Sequence, residues 1–250
     1  ASWNWLANGT GSANTDGSIS STVSANTTSG FSIVSYTGNG TGNSTIGHGL
    51  GATPKFIIVK NRTTAQAWGT YSPSFVSASD PNILYLNVTS AQADDTNVWG
   101  TSASFNNNTF TVGDWNGSNQ SGQSFIAYCF AEKTGYSKFG SYIGNGNADG
   151  TFVYTGFKPS FILMKRSDTG NSYDNWYIFD NKRDGFNPNN KKIAPNISDA
   201  ESSDTGLFDL LSNGFKLRTT NSNNNGSGGN FIYMAFAEEP LVGDNPATAR

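Results

Sequence analysis

Two glutamates, Glu132 and Glu238, are the residues of this chain whose placement best suggests catalysis. Each closes an apolar segment that ends in Phe-Ala-Glu. A glycosidase needs a pair of carboxylates at a fixed separation, one of them protonating the leaving oxygen. These two occupy equivalent positions of a repeated pattern, whereas a catalytic pair needs two different environments to separate its two pKa values. We therefore expect both glutamates to be structural and predict that the chain is not an enzyme.

Metal ligands and nucleophiles are scarce in the sequence. His48 is the only histidine and Cys129 the only cysteine, and neither lies in the spacing of a zinc site or a Ser-His-Asp triad. We expect His48 to be a structural residue of a Gly-rich loop and Cys129 to be a small buried residue of a strand. Residues 180–191 resemble a calcium loop, but Lys182 and Lys191 stand where that loop needs ligands. The sequence therefore predicts no cofactor and no metal.

Trp115 is the strongest candidate for binding a ligand. It lies in a Gly-flanked loop between two predicted strands, with Asp114 and Asn116 on either side. An exposed indole can stack on the face of a sugar while polar neighbours bind its hydroxyls. Trp99 is a second candidate, and residues 173–175 (Tyr-Asp-Asn) form a weaker version of the same pattern. The alternative for these rings is packing within the fold.

The elements that must position these residues occur twice along the chain. Residues 30–133 and 136–239 carry one pattern, and a residue kept in both copies is expected to build the fold. Trp115 and Trp99 have no counterpart, which makes them better candidates for function. The matched pairs include Tyr36 with Tyr142, Phe56 with Phe161, Trp68 with Trp176, Phe110 with Phe215, Phe125 with Phe231 and Glu132 with Glu238.

Short apolar segments separated by Gly and Asn turns dominate both copies, and stretches of good helix formers are nearly absent. This pattern is typical of an all-β sandwich or barrel. We predict an all-β fold of two tandem, internally duplicated β-sandwich-like modules. The continuous apolar runs 56–59 and 125–131 predict strands that are covered on both faces. Residues 91–95 and 198–204 could each hold one helical turn.

Residues 1–29 precede the first copy and are predicted to form an extended N-terminal arm. Trp3, Trp5 and Leu6 lie near its start, before a stretch rich in Gly, Ser, Thr and Asn. Large apolar side chains are costly to leave in water, so we expect these three to dock the arm on a neighbouring domain or subunit by strand addition. The alternative is a disordered linker. Residues 240–250 are predicted to be a C-terminal tail.

Composition narrows the classes of function. Only 13% of the residues are charged and the net charge is −3, about half the usual charged fraction of ~25%. Such a surface, built from neutral polar side chains, suits a long-lived extracellular particle or filament. The sequence has no concentrated basic face, so we predict that it does not bind nucleic acid. No apolar run approaches the ~20 residues of a membrane span, and we predict no membrane insertion.

Several of the repeated segments are similar to an uncharacterised domain that is common in virion proteins of tailed bacteriophages, especially marine ones. The likeness covers residues 17–250, and the segments that carry it are residues 30–38, 47–60, 125–131, 140–146 and 231–238. The family has no established catalytic residues to carry over.

The resemblance implies a virion structural protein on the particle exterior, either a tail-fibre segment or a capsid decoration subunit. It would act in assembly and adhesion as a homo-oligomer, with other virion proteins and a host surface glycan as partners. Because the chain starts at Ala1 rather than Met, we expect it to be processed or to be part of a longer polypeptide. Two alternatives remain open: a secreted carbohydrate-binding or glycan-degrading module, and a subunit of a cellular surface filament.

Overall fold

The computed structural model describes residues 2–77 and 80–237 of the chain. Within these residues the secondary structure is almost entirely antiparallel β-sheet, so the predicted all-β fold is confirmed. The chain divides into two compact modules. Module 1 comprises Trp3–Leu86 and Gln92–Glu132. Module 2 comprises Ser2, Asn87–Ala91 and the described residues from Lys133 onward.

Module 1 is built on one large antiparallel sheet. Its strand order is β1-β2-β3-β11-β5-β6-β8-β7, with β9 also paired to β8, while β10 and β4 form a separate pair. The bounds are β1 Ser12–Asn14, β2 Ser21–Asn26, β3 Phe31–Thr37, β4 Ser44–Gly47, β5 Phe56–Asn61, β6 Gly69–Tyr71, β7 Val76–Ser77, β8 Asp80–Tyr85, β9 Ala93–Asp94, helix α1 Thr96–Trp99, β10 Thr109–Val112 and β11 Ser124–Phe130.

Module 2 contains two four-stranded antiparallel sheets whose apolar residues form a common buried cluster. One sheet has the order β12-β19-β14-β15 and the other β13-β18-β17-β16. Because the cluster draws residues from both sheets, this module is a β-sandwich. The bounds are β12 Ser137–Ile143, β13 Phe152–Tyr154, β14 Pro159–Arg166, β15 Tyr177–Asp180, β16 Asn189–Lys192, β17 Ser202–Leu211, β18 Gly214–Leu217, helix α2 Ser222–Asn225 and β19 Asn230–Ala237.

The sequence repeat is also a repeat of strand order and register. The order β3-β11-β5-β6 of module 1 corresponds to β12-β19-β14-β15 of module 2. Phe125 pairs with Tyr36 as Phe231 pairs with Tyr142. These two aromatic pairs are stacked alike, with ring centroids 5.2 Å and 4.9 Å apart. Residues kept in both copies therefore do occupy the same positions of the framework.

The two modules differ in how far their central strands are covered. In module 2, all residues of β14 except Arg166 are buried, as are all residues of β19 except Asn230. In module 1, Ile58, Ile126 and Tyr128 are only partly buried. The expectation that both faces of runs 56–59 and 125–131 are covered is therefore wrong for one face, whereas the equivalent strands of module 2 are covered on both.

The helical turns lie elsewhere than predicted. Module 1 has its turn at α1, one residue beyond the predicted range 91–95, where the Asp95 carboxylate caps the helix by accepting from the N–H of Asn97. The turn predicted at 198–204 is wrong, because β17 begins at Ser202 and pairs with β16 there. A ladder of backbone hydrogen bonds overrides weak local propensity. Among the described residues, no helix is long and apolar enough to cross a membrane.

Much of the predicted N-terminal arm belongs to the sheet of module 1. Strand β2 pairs with β3 and places Val23 opposite Val34, and β1 pairs with β2. Ile19 and Val23 are buried, and Ile19 forms a parallel bridge with Ile46 of β4. Strand addition therefore occurs within the chain for residues 12–26, which corrects the description of residues 1–29 as a separate arm.

Candidate binding surface

The Trp115 ring packs over two glycines of module 1. A Cβ atom added at Gly117 would lie 2.0 Å from Cη2 of the indole, and one added at Gly69 would lie 3.3 Å from Cζ3. Neither glycine has the positive φ that only glycine adopts easily. The lack of a Cβ at both positions therefore leaves room for the Trp115 ring. The ring lies against the backbone and is partly exposed.

Polar and aromatic groups surround this ring. Tyr85 packs beside Trp115, with ring centroids 5.6 Å apart and planes tilted by 51°. Burial and, to a smaller extent, the negative charge of Asp95 raise the pKa of Tyr85, so its phenol is neutral. Asp114 and Asn116 are exposed on either side of Trp115. Two partly buried aromatic rings thus pack together next to an exposed carboxylate and an exposed amide.

The loop that carries Trp115 is held by backbone hydrogen bonds. The N–H of Trp115 donates to the carbonyl of Asn97 at 2.9 Å, and its own carbonyl accepts from Ser118 and Asn119 at 3.0 and 2.8 Å. The corresponding turn of module 2 is α2, whose first residue is preceded by the capping side chain of Asn221. Trp115 therefore stands where the other copy has a small helix cap.

A buried asparagine fixes the position of this turn. The Asn119 side-chain amide donates to Oδ1 of Asn39 and to the carbonyls of Thr41 and Gly113 at 2.8–3.1 Å. Its oxygen accepts from the N–H of Asn39 at 2.9 Å. Sequence reasoning treated the Gly-Asn-Gly segments only as turns and missed this network. The signal that could have found it is the asparagine kept in both copies, at 39 and at 145.

Trp99, the second predicted binding residue, is not part of this surface. It is completely buried, with edge contacts to Tyr71 and Phe105 at centroid distances of 5.9 and 5.7 Å. A ring with no exposed area cannot stack on a ligand, so the expectation for Trp99 is wrong. Its lack of a counterpart reflects α1, which interrupts module 1 where module 2 has the continuous strand β17.

A family model described as Domain of unknown function (DUF7483) matches residues 1–240. The chain belongs to this family. No curated protein and no solved structure matches it.

The weaker pattern at residues 173–175 is split by the fold. Tyr173 is 70% exposed, whereas Asp174 and Asn175 are buried. The Asp174 carboxylate accepts from the hydroxyl of Thr169 at 2.6 Å and from the N–H of Asn171 at 2.8 Å. Asp174 thus shapes its own loop, and the DUF7483 chain has no second platform of the predicted kind at this position.

The arm residues behave differently from one another. Trp5 makes an edge contact with Phe130 of its own module, at a centroid distance of 5.9 Å. Trp3 is partly buried and Leu6 is 76% exposed. Docking of these three side chains on another chain stays a prediction, and Trp5 already has an intramolecular contact in module 1.

The repeated tryptophans also differ between the copies. Trp176 is buried in module 2, as expected for a residue that builds the fold. Trp68 of module 1 is partly exposed, with the ammonium of Lys60 5.6 Å from its ring centroid. That distance is within reach of a cation–π contact.

His48 is buried and held as one neutral tautomer. Its Nδ1 accepts from the N–H of Leu50 at 3.2 Å, so the proton is on Nε2, which lies 3.0 Å from the carbonyl of Asn106 and donates to it. Burial lowers the pKa of His48 and outweighs the opposite effects of that carbonyl and of Asp16. Cys129 is buried and free, and burial raises the pKa of its thiol. The geometry gives both residues a structural setting.

The carboxylates singled out by their spacing have individual roles. Glu132 is partly buried, and Glu238 lies outside the described residues. Asp180 accepts from the N–H groups of Lys182 and Arg183 at 3.0 Å each and is 3.0 Å from the Arg183 guanidinium. In the described part of the chain, no group of three His, Cys, Asp or Glu side chains is placed to hold a metal ion.

Lys165 is a buried charge of module 2 that sequence reasoning did not single out. Its ammonium donates to the carbonyls of Thr89 and Asp174, at 2.8 Å each. Burial lowers the pKa of Lys165 to about 8, against the opposing attraction of Asp174 and Asp168. These contacts tie residues 87–91 to module 2.

A shallow polar depression of about 380 Å³ lies on the sheet of module 1. Serine and threonine hydroxyls line it together with the side chain of Arg62. Such groups can bind a polar ligand. The two aromatic residues of the lining, Tyr36 and Phe125, are buried, so the depression offers no exposed ring and the Trp115 surface is the stronger candidate.

Proposed function

We propose that this chain is a structural protein of a bacteriophage virion exterior, a tail-fibre segment or a capsid decoration subunit, that acts in assembly and in adhesion to a host surface glycan. The observation that carries the adhesive role is the Trp115 ring, held over Gly117 and Gly69 beside Tyr85, with exposed Asp114 and Asn116 next to it. Aromatic rings with nearby hydrogen-bonding groups are suited to the apolar face and the hydroxyls of a sugar.

Two features of the sequence support the placement on a virion. The repeated segments resemble a domain common in tailed-phage virion proteins, and only 13% of the residues are charged. A single aromatic contact contributes on the order of 1 kcal/mol. Many copies on one particle would convert so weak a contact into useful avidity, on the order of 100-fold or more.

The location is tested by immunogold labelling of purified phage particles with an antibody against this chain. Labelling of tails or capsids supports the proposal, and particles that carry no label overturn it.

The adhesive role is tested by the binding of fluorescent Trp115→Ala protein to host cells. We expect it to lose at least about tenfold in apparent affinity, for a contact worth about 1.4 kcal/mol. Asn108→Ala, an exposed change on the same module, is the control.

A secreted carbohydrate-binding module is the second candidate, because the same Trp115 surface favours it. The two candidates differ in location and not in the residue that binds. Glycan binding that depends on Trp115, combined with unlabelled particles and protein found free in the culture medium, would favour this second role.

A further inference from the structure

Strand β13 ends one sheet of module 2 with an edge to which no described strand is added. Its central residue, Val153, is buried, whereas Phe152 and Tyr154 are 42% and 63% exposed. On the other side, the N–H of Leu217 donates to the carbonyl of Thr151, and the N–H of Thr155 donates to the carbonyl of Asn213, at 3.0 Å each. Because an antiparallel ladder alternates, the N–H and C=O groups of Phe152 and Tyr154 point to the open edge.

The corresponding edge of module 1 is β4. Val153 lies opposite Phe215 in module 2, as Ile46 lies opposite Phe110 in module 1. This register makes Thr45 of β4 equivalent to Phe152 and Gly47 equivalent to Tyr154. The repeat therefore gives a direct comparison of one edge in two settings.

In module 1, this edge is covered by the segment that precedes β2. The N–H of Thr45 donates to the hydroxyl of Ser18 at 2.9 Å, and its carbonyl accepts from the N–H of Ile19 at 3.0 Å. The hydroxyl of Ser21 donates to the carbonyl of Gly47 at 3.1 Å. The outward backbone groups of β4 are thus satisfied by an extended stretch of the same chain.

Among the described residues of module 2, no such segment precedes the first strand. A tight turn precedes β12, where the N–H of Ser137 donates to the carbonyl of Lys133 at 2.9 Å. The covering segment of module 1 would not fit β13 either. A Cβ at Gly47 would lie 1.7 Å from Oδ1 of Asn14, and module 2 has the Tyr154 side chain at that position. The occupant of β13 must therefore be one that accepts aromatic side chains.

We propose that β13 is occupied by β13 of a second copy of this chain, paired antiparallel about a two-fold axis at Val153. This pairing sets Phe152 opposite Tyr154 of the second copy, so each outward N–H meets an outward carbonyl. Both aromatic pairs then lie on the outer face, where cross-strand aromatic pairs stabilise a sheet. The contact uses the same surface on both copies and closes on itself, as a two-fold interface must.

A strand of three residues makes a small interface, so the dimer is weak in isolation. This dimer contact would serve the assembly role proposed above, and only its place on a virion rests on that proposed function. Unlabelled phage particles would leave the dimer unaffected.

Sedimentation of the full chain from about 10 µM to about 1 mM, a range suited to weak association, tests the proposal. We expect a monomer–dimer equilibrium that Tyr154→Lys weakens by about tenfold or more, because a lysine on an edge strand opposes pairing. Phe186→Lys, which replaces an 82% exposed ring in a loop of the same module, should leave the equilibrium unchanged. A chain that stays monomeric throughout, or a dimer indifferent to Tyr154→Lys, overturns the proposal.

Cross-linking tests the register. Opposed residues of a hydrogen-bonded pair have Cα atoms about 5.5 Å apart, which a disulfide can bridge. A mixture of Phe152→Cys and Tyr154→Cys proteins should therefore form mixed disulfide dimers in excess over either variant alone. Equal cross-linking in all three samples contradicts the pairing. Deletion of residues 238–250 is the second control. If this deletion abolishes the dimer and Tyr154→Lys does not, the contact belongs to residues 238–250 and the proposal is overturned.

Discussion

The side chain of Asn119 and the residue Asn39 bond to each other twice, once in each direction. Nδ2 of Asn119 donates to Oδ1 of Asn39 at 3.1 Å, and Oδ1 of Asn119 accepts from the N–H of Asn39 at 2.9 Å. Asn225 and Asn145 repeat both bonds in module 2, at 2.9 and 3.1 Å. The pair joins the turn after β3 or β12 to the turn before β11 or β19, so it closes each module at one end.

We expect Asn119→Ala to lower the free energy of unfolding by about 3 kcal/mol, because it leaves buried carbonyls and an amide without their partner. Asn225→Ala should have a similar effect in module 2. The measurement is the midpoint of urea unfolding. Asn116→Ala, which removes an exposed amide close by, is the control and should change the midpoint little. Equal midpoints for Asn119→Ala and Asn116→Ala would show that the network contributes nothing.

Gly117→Ala tests whether the Trp115 ring needs the space above that glycine. The backbone at Gly117 suits any residue, but the new Cβ would lie 2.0 Å from the indole. The ring must move, and we expect a loss of about 1–3 kcal/mol, as in other overpacked sites. Acrylamide should also quench the tryptophan fluorescence more strongly, because the displaced ring is more exposed. Gly42→Ala, with open space around its Cβ, should change neither quantity.

The shared strand framework of the two modules could be predicted from the sequence because the same pattern of apolar residues occurs in both copies. Apolar residues at matching positions, such as Phe56 and Phe161, predict that the two copies share one framework, and these two residues pair with Phe130 and Phe236 at equivalent positions. The positions of single aromatic residues could not be predicted in this way. Trp99 and Trp115 both lack counterparts, yet one is completely buried and the other partly exposed. The burial of Trp99 depends on contacts of a one-turn helix with Tyr71 and Phe105, and the position of the Trp115 ring depends on Gly117 and the distant Gly69. The contacts between residues far apart in the chain cannot be read from local sequence.

The open edge at β13 was equally hidden from sequence reasoning. Residues 152–154 are a short apolar run like several others. Their exposure follows from what is missing in front of module 2, where module 1 has the segment with Ser18 and Ile19. An edge becomes visible only when the pairing of every neighbouring strand is known.

His48 predicts a loss of stability in mild acid. Its pKa is lowered in the folded protein, whereas the unfolded value is about 6.5. Above that pH both states are neutral. As the pH falls below it, the unfolded state takes up a proton first, so stability decreases. Because His48 is the only histidine, few other side chains titrate in this window.

The check for His48 is thermal unfolding at pH 7.5, 6.5 and 5.5. The wild-type protein should lose more stability between pH 6.5 and 5.5 than His48→Gln, whose amide can donate and accept in place of the imidazole. At pH 7.5, His48→Gln should already unfold at a lower temperature than the wild-type protein. Parallel pH profiles would show that the buried imidazole does not resist protonation.

The buried Lys165 predicts a change in folding stability at alkaline pH. Its pKa is about 8 in the folded protein, against about 10.4 in the unfolded chain. Above pH 8 the folded state releases this proton and the unfolded state keeps it, so the contribution of Lys165 to stability rises with pH. Cys129 acts against it, because burial raises the pKa of the thiol and the unfolded thiol ionises near pH 8.5.

The comparison must therefore be between variants and not within the wild-type profile. Between pH 7.5 and 9.5, the stability of the wild-type protein relative to Lys165→Met should increase by on the order of 1–2 kcal/mol, from 1.36 kcal/mol per pKa unit. Lys158→Met removes an exposed lysine of the same module and should give a difference that does not change with pH. If the Lys165→Met difference is equally flat, the ammonium is not desolvated, and residues 87–91 do not bury it.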